Sequence, residues 1–455
     1  LARQTPRANG AGYRYVLVHM FGGLCLLAGI LMHIQATGSV QFSAFTQQSP
    51  ATYLILLGIL VNAAAPPLSA WLPDAYPEST VTGSVILSAF TTKTAVYTLI
   101  RGFPGWEILI IVGGVMTLYG IFYALLENDM RRILAYSIIN QVGFMVTGVG
   151  IGSDMALNGA AAHAFAHIIY KGLLFMSAGS VLYMTGRSKC TDLGGLYKTM
   201  PWTMAFGTIG ALAISAFPLT SGFTTKSLII DGAVHGHLFW TWMVLEVASA
   251  GVFLHAGIKF PYFVFFAKDK GLRPGESRWS MLIAMGVLSF FCFFLGLYPQ
   301  PLYALLPYTM QPYQAYTPAH LVTQLQLLMF SALVFFLFLP LLKRTETISL
   351  DTDWIYRKGG QGLAALLDRS LNGLNALGER GLLKIIHALA ALSRDALARL
   401  IMFVMVNVWL LQGERGKRLE LKKSRLYNDI QQGTLPVGLG AAISTGFIGV
   451  IFLLS

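Results

Sequence analysis

The feature that most restricts this chain is a succession of apolar runs, each about as long as a bilayer is thick. A helix needs roughly 20 apolar residues to cross the hydrocarbon layer. Eleven segments qualify, near 14–34, 51–68, 83–101, 106–126, 132–152, 156–183, 203–236, 238–267, 280–299, 321–342 and 436–454. The seventh is too long for one straight crossing, and Pro218 with Ser221-Gly222 is placed to break it. In hydrocarbon every backbone amide must be paired inside its own segment or within a closed barrel. The short alternating segments of a barrel are absent, so the spans read as helices. Only 11% of the 455 residues are charged and 55% are hydrophobic, where a soluble domain has about 25% charged. Those figures exclude a disordered chain and point to an integral membrane protein. Cys25, Cys190 and Cys292 are too few and too scattered for a disulfide framework or a metal cluster. No metal and no cofactor is expected.

The loops set the direction of threading. Alternate crossing places Arg131, Arg132, Arg187, Lys189, Lys198, Lys268, Lys270, Arg273, Arg278, Lys343 and Arg344 on one side, and only Arg101 in the opposite loops. By the positive-inside rule the basic side is cytoplasmic. A formal charge of +12 in so apolar a chain suits lipid headgroups rather than nucleic acid. Residues 361–412 behave differently, because Leu363, Leu366, Leu367, Leu371, Leu374 and Leu377 recur at steps near three and four with charges between them. That is an amphipathic helix lying along a surface. The apolar stretch 400–411 suits a short dip into the membrane, and the basic run Lys417–Arg425 precedes the final span. The chain opens at Leu1 with a polar, basic stretch that lacks the apolar core of a signal peptide, the mark of processing or of a fragment.

An ionisable group in the middle of a span costs several kcal/mol, so each one here needs a reason. Lys93 lies ten residues from Gly83 and eight from Arg101, too central to snorkel. His163, His167 and Lys171 share one helix face at four-residue steps. Lys226 follows the break at Ser221-Gly222, and Glu246, His255 and Lys259 lie on the next span as accessory candidates. The bland reading is structural ion pairing, and Lys259 stands near enough to the cytoplasmic end to snorkel. Zinc at His163 and His167 lacks a nearby carboxylate or cysteine to complete a site. The functional reading is a hydrophilic axis. Desolvation makes a lysine release its proton more readily, and a histidine passes a proton between its two nitrogens. Breaks at Pro66-Pro67 and at Pro218 with Gly222 would expose carbonyls along the same path.

Several runs then become recognisable. They are Pro66-Pro67-Leu-Ser-Ala-Trp71-Leu-Pro73-Asp74-Ala-Tyr-Pro77-Glu78, the segment Leu87–Tyr97 around Lys93, Asp129-Met-Arg-Arg132-Ile-Leu-Ala-Tyr136-Ser137, His163-Ala-Phe-Ala-His167-Ile-Ile-Tyr-Lys171 and Gly222-Phe-Thr-Thr-Lys226. In order and spacing they resemble the antiporter-like subunits of respiratory complex I and of Mrp cation/proton antiporters. The tail, a span followed by a long amphipathic helix and a last span, resembles the lateral-helix arrangement of the largest such complex I subunit. The resemblance implies inverted five-helix repeats, each with a broken helix, forming linked half-channels for protons. It makes Lys93 the bridging lysine of the first repeat, His163 and His167 the histidines between half-channels, Lys171 the central lysine of the second, and Lys226 the lysine of its broken helix. Two departures stand out. Asn62 occupies the position of a lysine on the first broken helix, and the glutamate that pairs with that lysine belongs to a helix that would precede residue 1. The resemblance therefore implies an N-terminally truncated chain.

On this reading residues 1–105 are the remainder of the first repeat, 106–267 the second, and 268–345 two further spans. The lateral helix and basic linker occupy 346–435, and the last span 436–455. The expected setting is the lipid bilayer of a bacterial inner membrane, among other membrane subunits of a hetero-oligomer. The leading function is proton movement coupled to sodium, as in the D-type subunits of Mrp antiporters, with no nucleic-acid partner. Alternatives are a pumping subunit of an NADH:quinone oxidoreductase or membrane hydrogenase, a subunit of an inorganic-carbon uptake complex, and a structural subunit that has lost pumping. The chain has neither the cysteine motif of an iron–sulfur cluster nor a dinucleotide fingerprint, so any redox centre belongs to another subunit.

Overall fold

The computed structural model describes residues 2–309, 313–341, 351–433, 440–441 and 444–449, and only the backbone of 353, 355, 356, 391–395 and 397. Its contacts divide into two compact units, Leu1–Arg357 and Lys358–Ser455.

The first unit is a bundle of helices, with no strand among the described residues. In chain order it contains α1 (Pro6–Thr37), α2 (Pro50–Asn62), α3 (Trp71–Glu78), α4 (Val81–Gly102), α5 (Ile108–Leu126), α6 (Met130–Ile151) and α7 (Asp154–Thr185). There follow α8 (Pro201–Ile214), α9 (Ser221–His235), α10 (Phe239–Val252), α11 (Trp279–Leu297), the short α12 (Gln300–Tyr303) and α13 (Pro318–Leu337). Helix α10 continues through two π-helical stretches, Phe253–Lys259 and Tyr262–Phe266, on either side of Pro261. Seven of these helical segments are long and apolar enough to cross a membrane, namely α1, α5, α6, α7, α10 with its extension, α11 and α13. The chain is an all-α, multi-pass membrane protein. Ten of the expected spans coincide with helices or broken pairs. The eleventh, 436–454, lies largely outside the described residues, as do Lys343 and Arg344.

Both expected breaks are present, and both are built the same way. Helix α2 stops at Asn62, Ala64 takes a φ of 61°, and the Ala65 N–H reaches back 3.0 Å to Leu60 O. Helix α8 stops at Ile214, Ala216 takes a φ of 55°, and the Phe217 N–H reaches back 3.1 Å to Leu212 O. Pro66-Pro67 and Pro218 come next in each case and cannot donate the N–H that would resume the helix. After the first break the chain forms α3, a half-helix of eight residues that the apolar pattern does not announce. Its stability comes from docking, since Trp71 and Tyr76 are buried and the Trp71 indole donates to Val61 O across the break at 3.1 Å. After the second break Gly222 meets the end of α8 so closely that a Cβ would stand 1.9 Å from Ala213 O.

Helix α6 is buried along its whole apolar window and α7 along 78% of it, so these two form the centre of the bundle. The loops expected to be cytoplasmic gather at one end. Arg131, fully buried, donates to Pro77 O at 2.5 Å and to Ser79 O, Thr80 O and Ser84 Oγ. Asp129 and Lys189 form a backbone bridge beside it. Arg101 lies in the last turn of α4, bonded to Phe42 O and Tyr97. Further along the chain, Asp351 accepts from Tyr136 at 2.5 Å and from Tyr119, which fixes this part of the chain to α5 and α6.

Helix α14 (Asp353–Leu411) is one continuous helix of 59 residues, starting eight residues earlier than the leucine period indicates. In the second unit its leucines at 363, 366, 371, 374 and 377 are all exposed. Helix α15 (Lys417–Gln431) follows, and its Lys422 bonds Glu414 at 2.8 Å and stands over the Trp409 ring.

Candidate functional site

The four-residue steps in α7 do what the sequence reading requires of them. His163, His167 and Lys171 are fully buried on the face that α7 turns to the bundle interior. Lys93 from α4 and Lys226 from α9 join them, both buried. The His163 and His167 rings stand 6.4 Å apart, and Tyr170 lies 5.1 Å from the ring of His167.

Each ammonium is held by neutral oxygens. Lys93 Nζ turns back along its own helix to Ser88 O at 2.6 Å and Thr92 Oγ1 at 3.1 Å. Lys171 Nζ bonds Leu134 O at 2.9 Å and the Ser137 hydroxyl, both on α6. Lys226 Nζ bonds Ile214 O at 3.1 Å and sits 4.9 Å from the centre of the Phe144 ring. Among the described residues the hydrogen-bond acceptors of these three groups are carbonyls and hydroxyls. The nearest attraction from a carboxylate is that of half-buried Glu246 on α10 for Lys226. An ion pair is therefore not what holds these lysines, although an unpaired buried charge is among the most expensive things a fold can contain.

His163 is set up to exist with one proton or two. The Thr225 hydroxyl gives its hydrogen to Ser221 O, so at 3.1 Å it accepts from Nδ1–H of His163. Nε2 faces both Gln141 Oε1 at 3.1 Å and the Tyr170 hydroxyl at 3.2 Å. With Nε2 bare, Tyr170 donates to it; with Nε2 protonated, Gln141 accepts from it. Gln141 is itself steadied by Asn140 Oδ1 at 2.5 Å, and Asn140 by Thr117 O at 2.9 Å. His167 lies between these groups and Lys171, fully buried, with neither ring nitrogen meeting a partner among the described residues.

The accessory candidates divide. His255, in the first π-helical stretch, is fully buried, and neither of its ring nitrogens meets a partner among the described residues. Lys259 does not snorkel. It is fully buried and donates to Ala124 O at 2.6 Å, Leu125 O at 2.8 Å and Glu127 O at 2.7 Å. Those carbonyls belong to the end of α5, where a cation is favoured by the helix dipole, so Lys259 acts as a cap. Of the break residues, Pro66, Pro67 and Pro218 lie in the non-helical turns, and Gly222 is the second residue of α9. The sequence reading missed Gln141, Thr225 and Ser137 as partners. Ser137 and Gln141 sit four residues apart on α6, the same periodic signal as on α7 but carried by neutral side chains. It also missed His19.

Comparison with known proteins agrees with the fold. Residues 1–252 match the family described as NADH:quinone oxidoreductase/Mrp antiporter, TM. Hydrogenase-4 component B of Escherichia coli is 28% identical over 338 residues, covering 65% of this chain and 50% of that protein. The D subunit of the Na(+)/H(+) antiporter of Alkalihalophilus pseudofirmus is 30% identical over 239 residues, covering 48% of each. The chain thus spans about half the length of these curated relatives. A solved structure, the Mrp complex from Dietzia sp., superposes with a TM-score of 0.60 at 23% identity over 65% of this chain and 66% of that one.

Proposed function

The chain belongs to the NADH:quinone oxidoreductase/Mrp antiporter transmembrane family, and from that premise we propose that it is a proton-conducting membrane subunit of a hetero-oligomeric cation/proton translocating complex. Lys93, His163, His167, Lys171 and Lys226 form its relay. The observation that carries this reading is the state of the buried lysines, which are held by neutral carbonyl and hydroxyl oxygens. A structural lysine is normally paired with a carboxylate or caps the end of a helix, as Lys259 does. A lysine solvated only by carbonyls and hydroxyls is satisfied with its proton and loses little without it, as a carrier must be. Helix breaks beside Lys226 and Asn62 supply carbonyls at the depth where water would lead to either surface.

The partner process most in keeping with the relatives is sodium exchange of the Mrp type, with this chain in the place of the D-type member. The setting is a bacterial inner membrane with the basic loops cytoplasmic. A second reading, coupling to a redox partner, has its own support, since the hydrogenase component aligns with more of this chain than the antiporter relative.

Proton flux through the full native complex in inverted vesicles tests both, comparing unchanged protein with Lys171→Ala, with and without sodium. Sodium-dependent flux that Lys171→Ala abolishes supports exchange through this relay. Flux that responds to a reductant but not to sodium, and is equally lost, supports the redox reading. Flux indifferent to Lys171→Ala overturns the relay.

A further inference from the structure

We propose that His19, on α1, is a proton-carrying residue at the first helix break, and that Asn62 transmits its change of protonation to α4 beside Lys93. The inference rests on the proton-conducting reading above and extends it to a residue outside the relay named there.

The imidazole of His19 is half-buried, stacked on Tyr15 with ring centres 4.1 Å apart and edge-on to Trp71 at 4.4 Å. Its Nδ1 lies 2.9 Å from Tyr15 O. A carbonyl only accepts, so Nδ1 carries a hydrogen. Its Nε2 lies 3.2 Å from Asn62 Oδ1, at the last residue of α2 before the break. The orientation of that amide is set on its far side, where Asn62 Nδ2 donates to Thr91 O at 3.2 Å. Turning the amide over would bring two oxygens face to face. Both ring nitrogens of His19 therefore face acceptors, and only the doubly protonated ring, with two N–H groups, satisfies both at once.

Loss of a proton leaves a lone pair on Nε2 opposite Asn62 Oδ1. The repulsion is relieved when the amide turns and offers Nδ2–H to Nε2, but the Thr91 carbonyl, which also accepts from the Thr94 hydroxyl at 2.8 Å, then loses the Asn62 donor. The protonation of His19 and the Asn62–Thr91 hydrogen bond are thus one coupled unit. Thr91 is two residues from Lys93, whose ammonium rests on Ser88 O and Thr92 Oγ1 in the same turn of α4. Asn62 holds no proton itself, yet it connects a group that does to the first lysine of the row. The titratable groups on the elements around His19 include Tyr15 and Arg14 on α1, Asp74 and Tyr76 on α3, and Lys93 on α4. Asp74 is engaged by Arg14 at 2.6 Å and Arg357 at 3.4 Å, and Tyr76 donates to Leu87 O at 2.9 Å. That leaves His19 as the group at the break whose own contacts change with its proton.

The test is magnetic resonance on the full chain in lipid nanodiscs, with nitrogen-labelled histidine and carbonyl-labelled threonine, across about pH 5 to 9. The expected result is that the His19 ring passes from two N–H groups to one and that the Thr91 carbonyl signal moves at the same midpoint. In Asn62→Leu the His19 titration remains and the Thr91 signal no longer follows it. A His19 ring in one state throughout, or a Thr91 carbonyl that ignores it in the unchanged protein, overturns the inference. In the flux assay His19→Gln is expected to lower the rate about tenfold or more, with His19→Lys retaining more of it. Equal rates for His19→Gln and the unchanged complex overturn the conducting role. If the unchanged complex moves no protons, the proposed function fails, while the coupled titration is still read without transport.

Discussion

The ammonium of Lys226 joins the two halves of the second broken helix, standing 3.1 Å from the carbonyl of Ile214, the last residue of α8. That carbonyl has lost its helical partner because the chain turns at Ser215, so the lysine both closes a backbone gap and places a charge at the depth of the break. The contact gives this side chain a structural role, the proposed relay adds a conducting one, and the two are separable. Lys226→Met keeps the length and removes the donor. It is expected to lower stability by about 1–3 kcal/mol, the price of an orphaned buried carbonyl, as measured by chemical unfolding in micelles. It is also expected to abolish proton flux. Full flux at reduced stability leaves Lys226 a strut alone.

Gly222 is the tightest point of that break. A Cβ there would stand 1.9 Å from Ala213 O, which is backbone and cannot swing aside. Gly222→Ala is expected to destabilise by about 1–3 kcal/mol or more. Gly23→Ala, in an open part of α1 with nothing within 4 Å, is the control and is expected to be neutral or stabilising by up to about 1 kcal/mol. Thermal unfolding of the two variants side by side decides it, and similar melting temperatures would contradict the close approach.

At the basic end, Arg131 serves four oxygens at once, among them the carbonyls of Pro77, Ser79 and Thr80. Its loss frees the turn between α3 and α4 from α6. Arg131→Ala is expected to cost about 3 kcal/mol or more, because several buried acceptors go unpaired together. Hydrogen exchange should rise first at residues 79–84. Arg131→Lys is expected to recover only part of the stability, since an ammonium lacks the forked geometry.

The loop after the π-helical stretch carries a pH-sensitive contact. Asp269 accepts from Arg273, from the Gly271 N–H and from Lys198, and these donors hold its carboxyl below the ordinary carboxylate range. A carboxyl with a depressed folded-state value stabilises the fold above its unfolded value, near ~4, and that contribution disappears as pH falls below it. The protection of the 269–273 amides, corrected for the intrinsic exchange rate at each pH, is expected to be flat from neutrality down to about pH 4 and to fall below it. In Asp269→Asn this acid step should be missing. An unchanged step would assign it to another group.

Much of the architecture can be read in the chain itself, because each such feature has a local cause. Bilayer-length apolar runs force helices, Pro66-Pro67 and Pro218 force breaks, and a four-residue step puts His163, His167 and Lys171 on one face. The leucine period alone marks the long amphipathic helix. Helix α3 is not written in this way, since eight residues holding Pro73 and Pro77 make a poor helix until Trp71 and Tyr76 are buried against the bundle. The partners of the charged groups were also undetermined. His163 finds Thr225 across 62 residues, Lys259 finds Ala124 O across 135, and His19 finds Asn62 across 43. Periodicity fixes which way a side chain faces along its own helix. What it meets there depends on which helices pack together and in what rotation, and only the tertiary structure decides that.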